Sequence, residues 1–349
     1  MRIDPFFDKQ PNINFTDLLN RPVHECAPKH FGKAEAEAGE ISALGAYIAQ
    51  CHPEWHDTIQ TAITDYEDFL RITGVYGDRY PIRVVCAEGY SEESYKILAD
   101  ADKCTVYASD PEGARRAIYY LEEEMIKREG AFLPLGETVR LARIKRRITR
   151  GYFSPTNRAP KWGDELLDNV DYYPDNYLSR LAHNGTNGLW IYTSFAQLIS
   201  SPYLPSKDTN CEKRMHKLRG VVNKCKKYGI KVYLFAIEPM GLLPEDQKTY
   251  ADMLGAHSGG ERRPLCPRID KVREHVIYCL ENIFGAIPDL GGYITIPAGE
   301  RPTTCASVGT YKTCPRCARY TKGENLAYSI DLIKEGLRRA CTVALGRRR

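Results

Sequence analysis

The sequence predicts an α/β protein in which a small α/β domain leads into the first half of a (β/α)8 TIM barrel. Three observations carry this. Between Ile82 and Lys127, three short strand-like runs are followed by one amphipathic helix. From Thr149 onward, strand and helix patterns alternate four times, which argues for parallel βα units. Only about 200 residues remain from that point, whereas a complete barrel takes roughly 250.

Residues 1–40 mix Pro, Asn, His and charge without a period and read as an irregular N-terminal arm. Residues 41–140 form the expected α/β domain. Apolar residues three and four apart over 42–51 and 55–72 predict two amphipathic helices, broken at His52-Pro53. The runs at 82–86, 94–98 and 104–108 predict strands. Asp110 before Pro111 predicts an N-cap, and Ala114, Ala117, Ile118, Leu121 and Met125 share one face of a helix running to about Lys127. Residues 133–148 alternate apolar and basic residues, as an extended connector would.

The barrel half is expected over 149–349, starting with a strand at 149–153. A helix at 174–183 ends at Asn184-Gly185, and a strand follows at 188–192. A basic helix at 212–228, an apolar strand at 230–237, a helix at 270–284, a strand at 292–296 and a helix at 325–340 complete the pattern. The tail from Cys341 begins like a fifth strand and ends in arginines.

The composition, 43% hydrophobic and 27% charged, is that of an ordinary globular protein. A net charge of +4, partly from Arg347, Arg348 and Arg349, implies no nucleic-acid or anionic-membrane partner. No stretch nears the roughly 20 apolar residues of a membrane span, and Met1 to Gln10 lack the features of a signal peptide. A cytoplasmic location is therefore expected, with the twelve cysteines reduced and most of them acting as small apolar residues.

In a TIM barrel the active site lies at the carboxyl ends of the strands. Those positions hold Arg150, Ser154, Thr156, Asn157 and Arg158 at the first strand and Thr193 and Ser194, beside Trp190 and Tyr192, at the second. Glu238 follows the third strand, and Glu300 and Arg301 follow the fourth. Cleaving a glycosidic bond takes a carboxylic acid to protonate the leaving oxygen and a second group to stabilise the oxocarbenium-like centre. Glu300, after the small residues Ala298 and Gly299, is the candidate acid; a solvated loop glutamate paired with Arg301 is the alternative. Glu238 is either a second catalytic carboxylate or a salt-bridged rim residue. Trp190, Tyr192 and Tyr152 could stack on a sugar or be core.

The run Arg150-Gly151-Tyr152-Phe153 resembles the first barrel strand of family 20 glycoside hydrolases, the hexosaminidases. Leu181 to Trp190, Tyr228 to Pro239 and Gly291 to Glu300 resemble that family's second, third and fourth strand regions. The unit from Ile82 to Lys127 is similar to the non-catalytic domain before such barrels. The resemblance implies sugar binding by Arg150 and acid catalysis by Glu300. It also implies an Asp just before the acid, to orient the substrate's acetamido group. Gly299 stands there instead, which puts that substrate-assisted route in doubt and leaves the second carboxylate on some other strand.

Cys314-Pro315-Arg316-Cys317 is a CxxC knuckle that, with Cys266 and Cys305, could supply four thiolates to a structural zinc ion. Free thiols and a redox pair are the alternatives. Three functional readings follow: a glycoside hydrolase acting on hexosaminides or related glycans, a non-catalytic carbohydrate-binding relic of one, and a zinc-stabilised interaction module. The exposed edges of a half-barrel would also favour pairing into a homo-oligomer.

Overall fold

The computed structural model describes residues 15–151, 164–299 and 301–347. The chain divides into two compact units, the first comprising 1–148, 171–187 and 224–230, the second 149–170, 188–223 and 231–349.

In the first unit a short helix α1 (Phe15–Leu19) precedes β1 (Glu40–Ser42), β2 (Ala46–Gln50) and α2 (His56–Ile72). Then come β3 (Tyr80–Cys86), β4 (Tyr95–Ala99), β5 (Cys104–Ala108), α3 (Pro111–Lys127), β6 (Phe132–Pro134) and β7 (Gly136–Arg140). Five of the strands make one sheet in the order β2-β3-β5-β4-β7. It is parallel from β2 through β5, and antiparallel where β4 meets β5 and β7. The Asp110 carboxylate accepts the Gly113 N–H at 2.9 Å, so the expected cap starts α3. The predicted face of α3 is buried from Ala114 to Met125, and α2 buries Ile59, Ile63, Tyr66 and Leu70. Each such large apolar side chain contributes roughly 1.5–3 kcal/mol.

Two expectations fail in this unit. Residues 42–51 are not helical: Ala46 and Ile48 pair in parallel with Tyr80 and Ile82. Their apolar spacing suits either structure, and pairing with β3 decides it against the helical period. The supposed connector also contains β6, which pairs with β1, and β7, which closes one edge of the sheet.

The chain continues through β8 (Ile148–Arg150), α4 (Asp175–His183), β9 (Gly188–Tyr192), α5 (Phe195–Leu198), α6 (Cys211–Lys226) and β10 (Lys231–Phe235). It ends with α7 (Pro244–Gln247), α8 (Asp270–Ala286), β11 (Gly292–Ile294) and α9 (Lys322–Arg347). The second sheet has the order β11-β10-β9-β8, and β10 runs parallel to both β9 and β11. This is the strand order of a partial (β/α)8 barrel. Along β9 and β10, Leu189, Ile191, Val232 and Leu234 are buried on one face. Trp190, Tyr192, Tyr233 and Phe235 alternate with them and share the other face. The expected fifth strand is absent, because 341–347 continue α9. The run from Cys341 to Leu345 is apolar enough for either structure, and the helix already under way carries it.

Candidate functional site

A cavity of about 590 Å3 lies at the carboxyl ends of β9 and β10, with Tyr192, Phe195, Glu238, Arg262, His275 and Arg301 in its wall. That is within the size range of small-molecule sites. Glu238, three residues beyond β10, is only 7% exposed. One carboxylate oxygen accepts the Phe195 N–H at 2.8 Å and the other accepts the Met240 N–H at 2.6 Å. Burial pushes this carboxyl up to about 7, while the two amide donors and the Arg262 charge pull the other way. Desolvation is the larger effect, because the surroundings are mostly apolar. Phe195 stacks on Tyr293 and meets the His275 ring edge-on. Burial lowers the His275 imidazole to about 4, so that ring is neutral near pH 7.

Beside the cavity, Tyr192 and Trp190 both pack on Phe235, with ring centroids 5.7 and 4.9 Å apart. The Arg301 guanidinium donates to the Tyr192 hydroxyl at 2.7 Å, and that of Arg150 lies 5.3 Å from the Trp190 ring. An aromatic row is thus bracketed by two exposed arginines. Arginine and aromatic faces of this kind suit the hydroxyls and apolar face of a sugar ring. Of the expected residues, Arg150 and Tyr192 end β8 and β9, Glu238 and Arg301 lie beyond β10 and β11, and Trp190 sits in the middle of β9. Asn157 and Glu300, with Tyr152, Ser154, Thr156 and Arg158, lie outside the described residues. Sequence reasoning missed Phe195, Arg262 and His275. A histidine between the apolar Val272 and Val276 on a helix was the only available sign of the last.

The cysteines come together through backbone pairing. Leu265 bridges in parallel to Thr304, which sets the next residues, Cys266 and Cys305, side by side. The turn carrying Cys314 and Cys317 is closed by the Cys317 N–H donating to the Cys314 carbonyl. All four side chains are buried, and Cys266 Sγ lies 3.8 Å from Cys314 Sγ and 3.6 Å from Cys317 Sγ. Sulfurs around a tetrahedral zinc ion with bonds of about 2.3 Å sit roughly 3.8 Å apart. A disulfide would need about 2.0 Å. Hydrogen bonds from Cys305, Cys317 and the Arg316 guanidinium draw the Cys266 thiol well below its ordinary range. A Cβ on Gly255 would come within 2.4 Å of the Cys305 sulfur, so only glycine leaves that sulfur its place. The four residues form a closed site suited to a structural metal ion, as zinc would require.

No protein-family profile matches this sequence, and no curated protein does. Solved structures do. A family 138 glycoside hydrolase targeting pectin rhamnogalacturonan II matches with a TM-score of 0.60 at 15% identity, over 86% of this chain and 34% of that one. An inactive mutant of the family 20 exo-β-N-acetylglucosaminidase of Vibrio harveyi matches at 0.53 and 13% identity, over 90% of this chain and 54% of that one. The family 20 chitobiase of Flavobacterium johnsoniae matches at 0.52 and 14%, over 92% and 52%. The fold is that of the family 20 hexosaminidases.

The likeness to these hexosaminidases is one of fold. The chain spans about a third of the length of the family 138 enzyme and about half of the two family 20 enzymes. No described helix is long and apolar enough to cross a membrane.

Proposed function

We propose that this chain is a glycoside hydrolase-like protein acting on hexosaminides or related glycans. The observation that carries the proposal is the cavity holding Tyr192, Glu238 and Arg301 at the strand ends, where barrel enzymes keep their chemistry. In this reading Glu300, next in sequence to the cavity residue Arg301, is the general acid/base that protonates the leaving oxygen. Arg150, Asn157, Trp190, Tyr192 and Arg301 hold the sugar. Glu238 serves as a second carboxylate whose proton is poised near neutral pH. The free cysteines fit a reducing compartment, and we assign the chain to the cytoplasm.

One observation favours the second reading, a carbohydrate-binding relic without turnover. Both oxygens of Glu238 are already engaged by backbone amides, which suits a carboxylate that shapes the rim better than one that attacks or transfers a proton. Hydrolysis of chromogenic aryl N-acetylhexosaminides and other aryl glycosides separates the two readings. The enzyme reading expects turnover that falls at least a hundredfold in Glu300→Gln. Sugar binding with no turnover in either protein supports the relic, and neither binding nor turnover overturns both. β8 and β11 form the two edges of the second sheet, and we propose that copies pair through them. Light scattering that finds only monomers would remove that part.

A further inference from the structure

Among the described residues, a second group of metal-ligating side chains lies in the first unit: His24, Glu122 on α3 and His183 at the end of α4. Their side chains are 5%, 8% and 15% exposed. His24 Nε2 sits 2.9 Å from the Asp65 carbonyl, and His183 Nδ1 sits 2.9 Å from the Ser179 carbonyl. A carbonyl oxygen only accepts, so each of those nitrogens carries a hydrogen. In a neutral ring the other nitrogen is then a bare lone pair. Both remaining nitrogens face Glu122: His24 Nδ1 is 3.3 Å from one carboxylate oxygen, and His183 Nε2 is 3.3 Å from the other.

Two occupants could sit among these atoms, namely a proton on each ring or one shared cation. Charge-assisted N–H···O bonds close to about 2.7–2.9 Å, several tenths shorter than what is seen. Ligands around a tetrahedral ion with bonds of about 2.0–2.1 Å stand roughly 3.3 Å apart. The three ligand atoms all lie within 4.8 Å of one another. A backbone carbonyl behind each imidazole is the arrangement that fixes the tautomer of a metal-bound histidine. Tyr119 stacks on His183 at 3.8 Å and Phe69 tilts against His24 at 5.5 Å, so neither ring is free to turn away. His183 and Tyr119 also line a cavity of about 590 Å3 in this unit, which gives an ion a way in.

We propose that His24, Glu122 and His183 bind a divalent transition-metal ion of zinc's kind, separate from the four-cysteine site, with one coordination position left for water. Imidazole with carboxylate suits zinc and its neighbours in the transition series. The ion would pin the segment around His24 to α3 and α4. This inference stands apart from the glycosidase reading and does not rely on it.

The test uses the full chain and zinc alone. After saturation and removal of loose metal, the native chain should hold about two equivalents, Glu122→Gln about one, and Cys314→Ser about one. The native chain should gain more in melting temperature from zinc than Glu122→Gln does, whereas a purely hydrogen-bonded cluster would leave their difference the same in zinc and in chelator. Cobalt-loaded Glu122→Gln should keep its thiolate-to-metal absorption. If Glu122→Gln does not fold, His183→Asn takes its place, and zinc titration of the native chain against a competing chelator should resolve two affinities. A native chain holding about one equivalent, all of it lost in Cys314→Ser, overturns the proposal. So does a Glu122→Gln chain that still holds about two.

Discussion

The Phe195 amide donates to the Glu238 carboxylate at 2.8 Å, so one acidic side chain ties the turn after β9 to the turn after β10. Both turns contribute to the wall of the cavity. The carboxyl that joins them is held up to about 7 by burial.

That shift sets a pH dependence. An acid whose pKa is raised in the folded state contributes stability that is fully present below its unfolded pKa, near 4.5, and is lost as pH rises through about 7. The whole effect is on the order of 3 kcal/mol. Glu238→Gln should flatten the fall in melting temperature between pH 5 and 8. At low pH it should be less stable than the native protein, because an amide offers one acceptor oxygen to two N–H donors. Thermal melts across that range check both points, and an unchanged slope would refute the assignment.

The four-cysteine site predicts metal-dependent stability. Cys314→Ser should release about one equivalent of zinc relative to the native chain and lower the melting temperature by several degrees. Chelation of the native protein should do the same. Metal analysis beside calorimetry checks it.

Helices α8 and α9 approach closely at Gly336, where an added Cβ would lie 2.8 Å from the Leu280 Cβ and 3.1 Å from the Ile277 carbonyl oxygen. Gly336→Ala gains about 1 kcal/mol of helix propensity and costs about 1–3 kcal/mol in overpacking. Net destabilisation is expected, read from the midpoint of urea unfolding.

Asp110 caps α3 with one oxygen and accepts the Glu93 N–H with the other. Asp110→Ala should cost about 1–3 kcal/mol, and Asp110→Asn, which keeps one acceptor oxygen for the two N–H donors, a smaller part of that. Denaturant titrations of the two variants distinguish them.

How far the sequence reached depended on whether the signal was local. The Asp110 cap, the strand at 104–108 and the strand at 188–192 are written in adjacent residues, and the structure has them at those bounds. Ala46 to Gln50 misled because only its partner β3, more than thirty residues on, makes it a strand. The CxxC pair was visible, while the place of Cys266 and Cys305 beside it depended on the Leu265 to Thr304 bridge. His24, Glu122 and His183 carry no common motif at all, since three separate segments bring them together.

Leu265 takes part in a second bridge, antiparallel to Leu254, and that pairing closes a loop whose tip, at Gly259 and Gly260, has nothing within 4 Å of where a side chain would begin. Extra residues there would lengthen an already exposed turn, at a cost that grows only logarithmically with length. A fluorophore or an affinity peptide inserted at that tip would let the protein be imaged or fixed to a bead through a point away from either chain end.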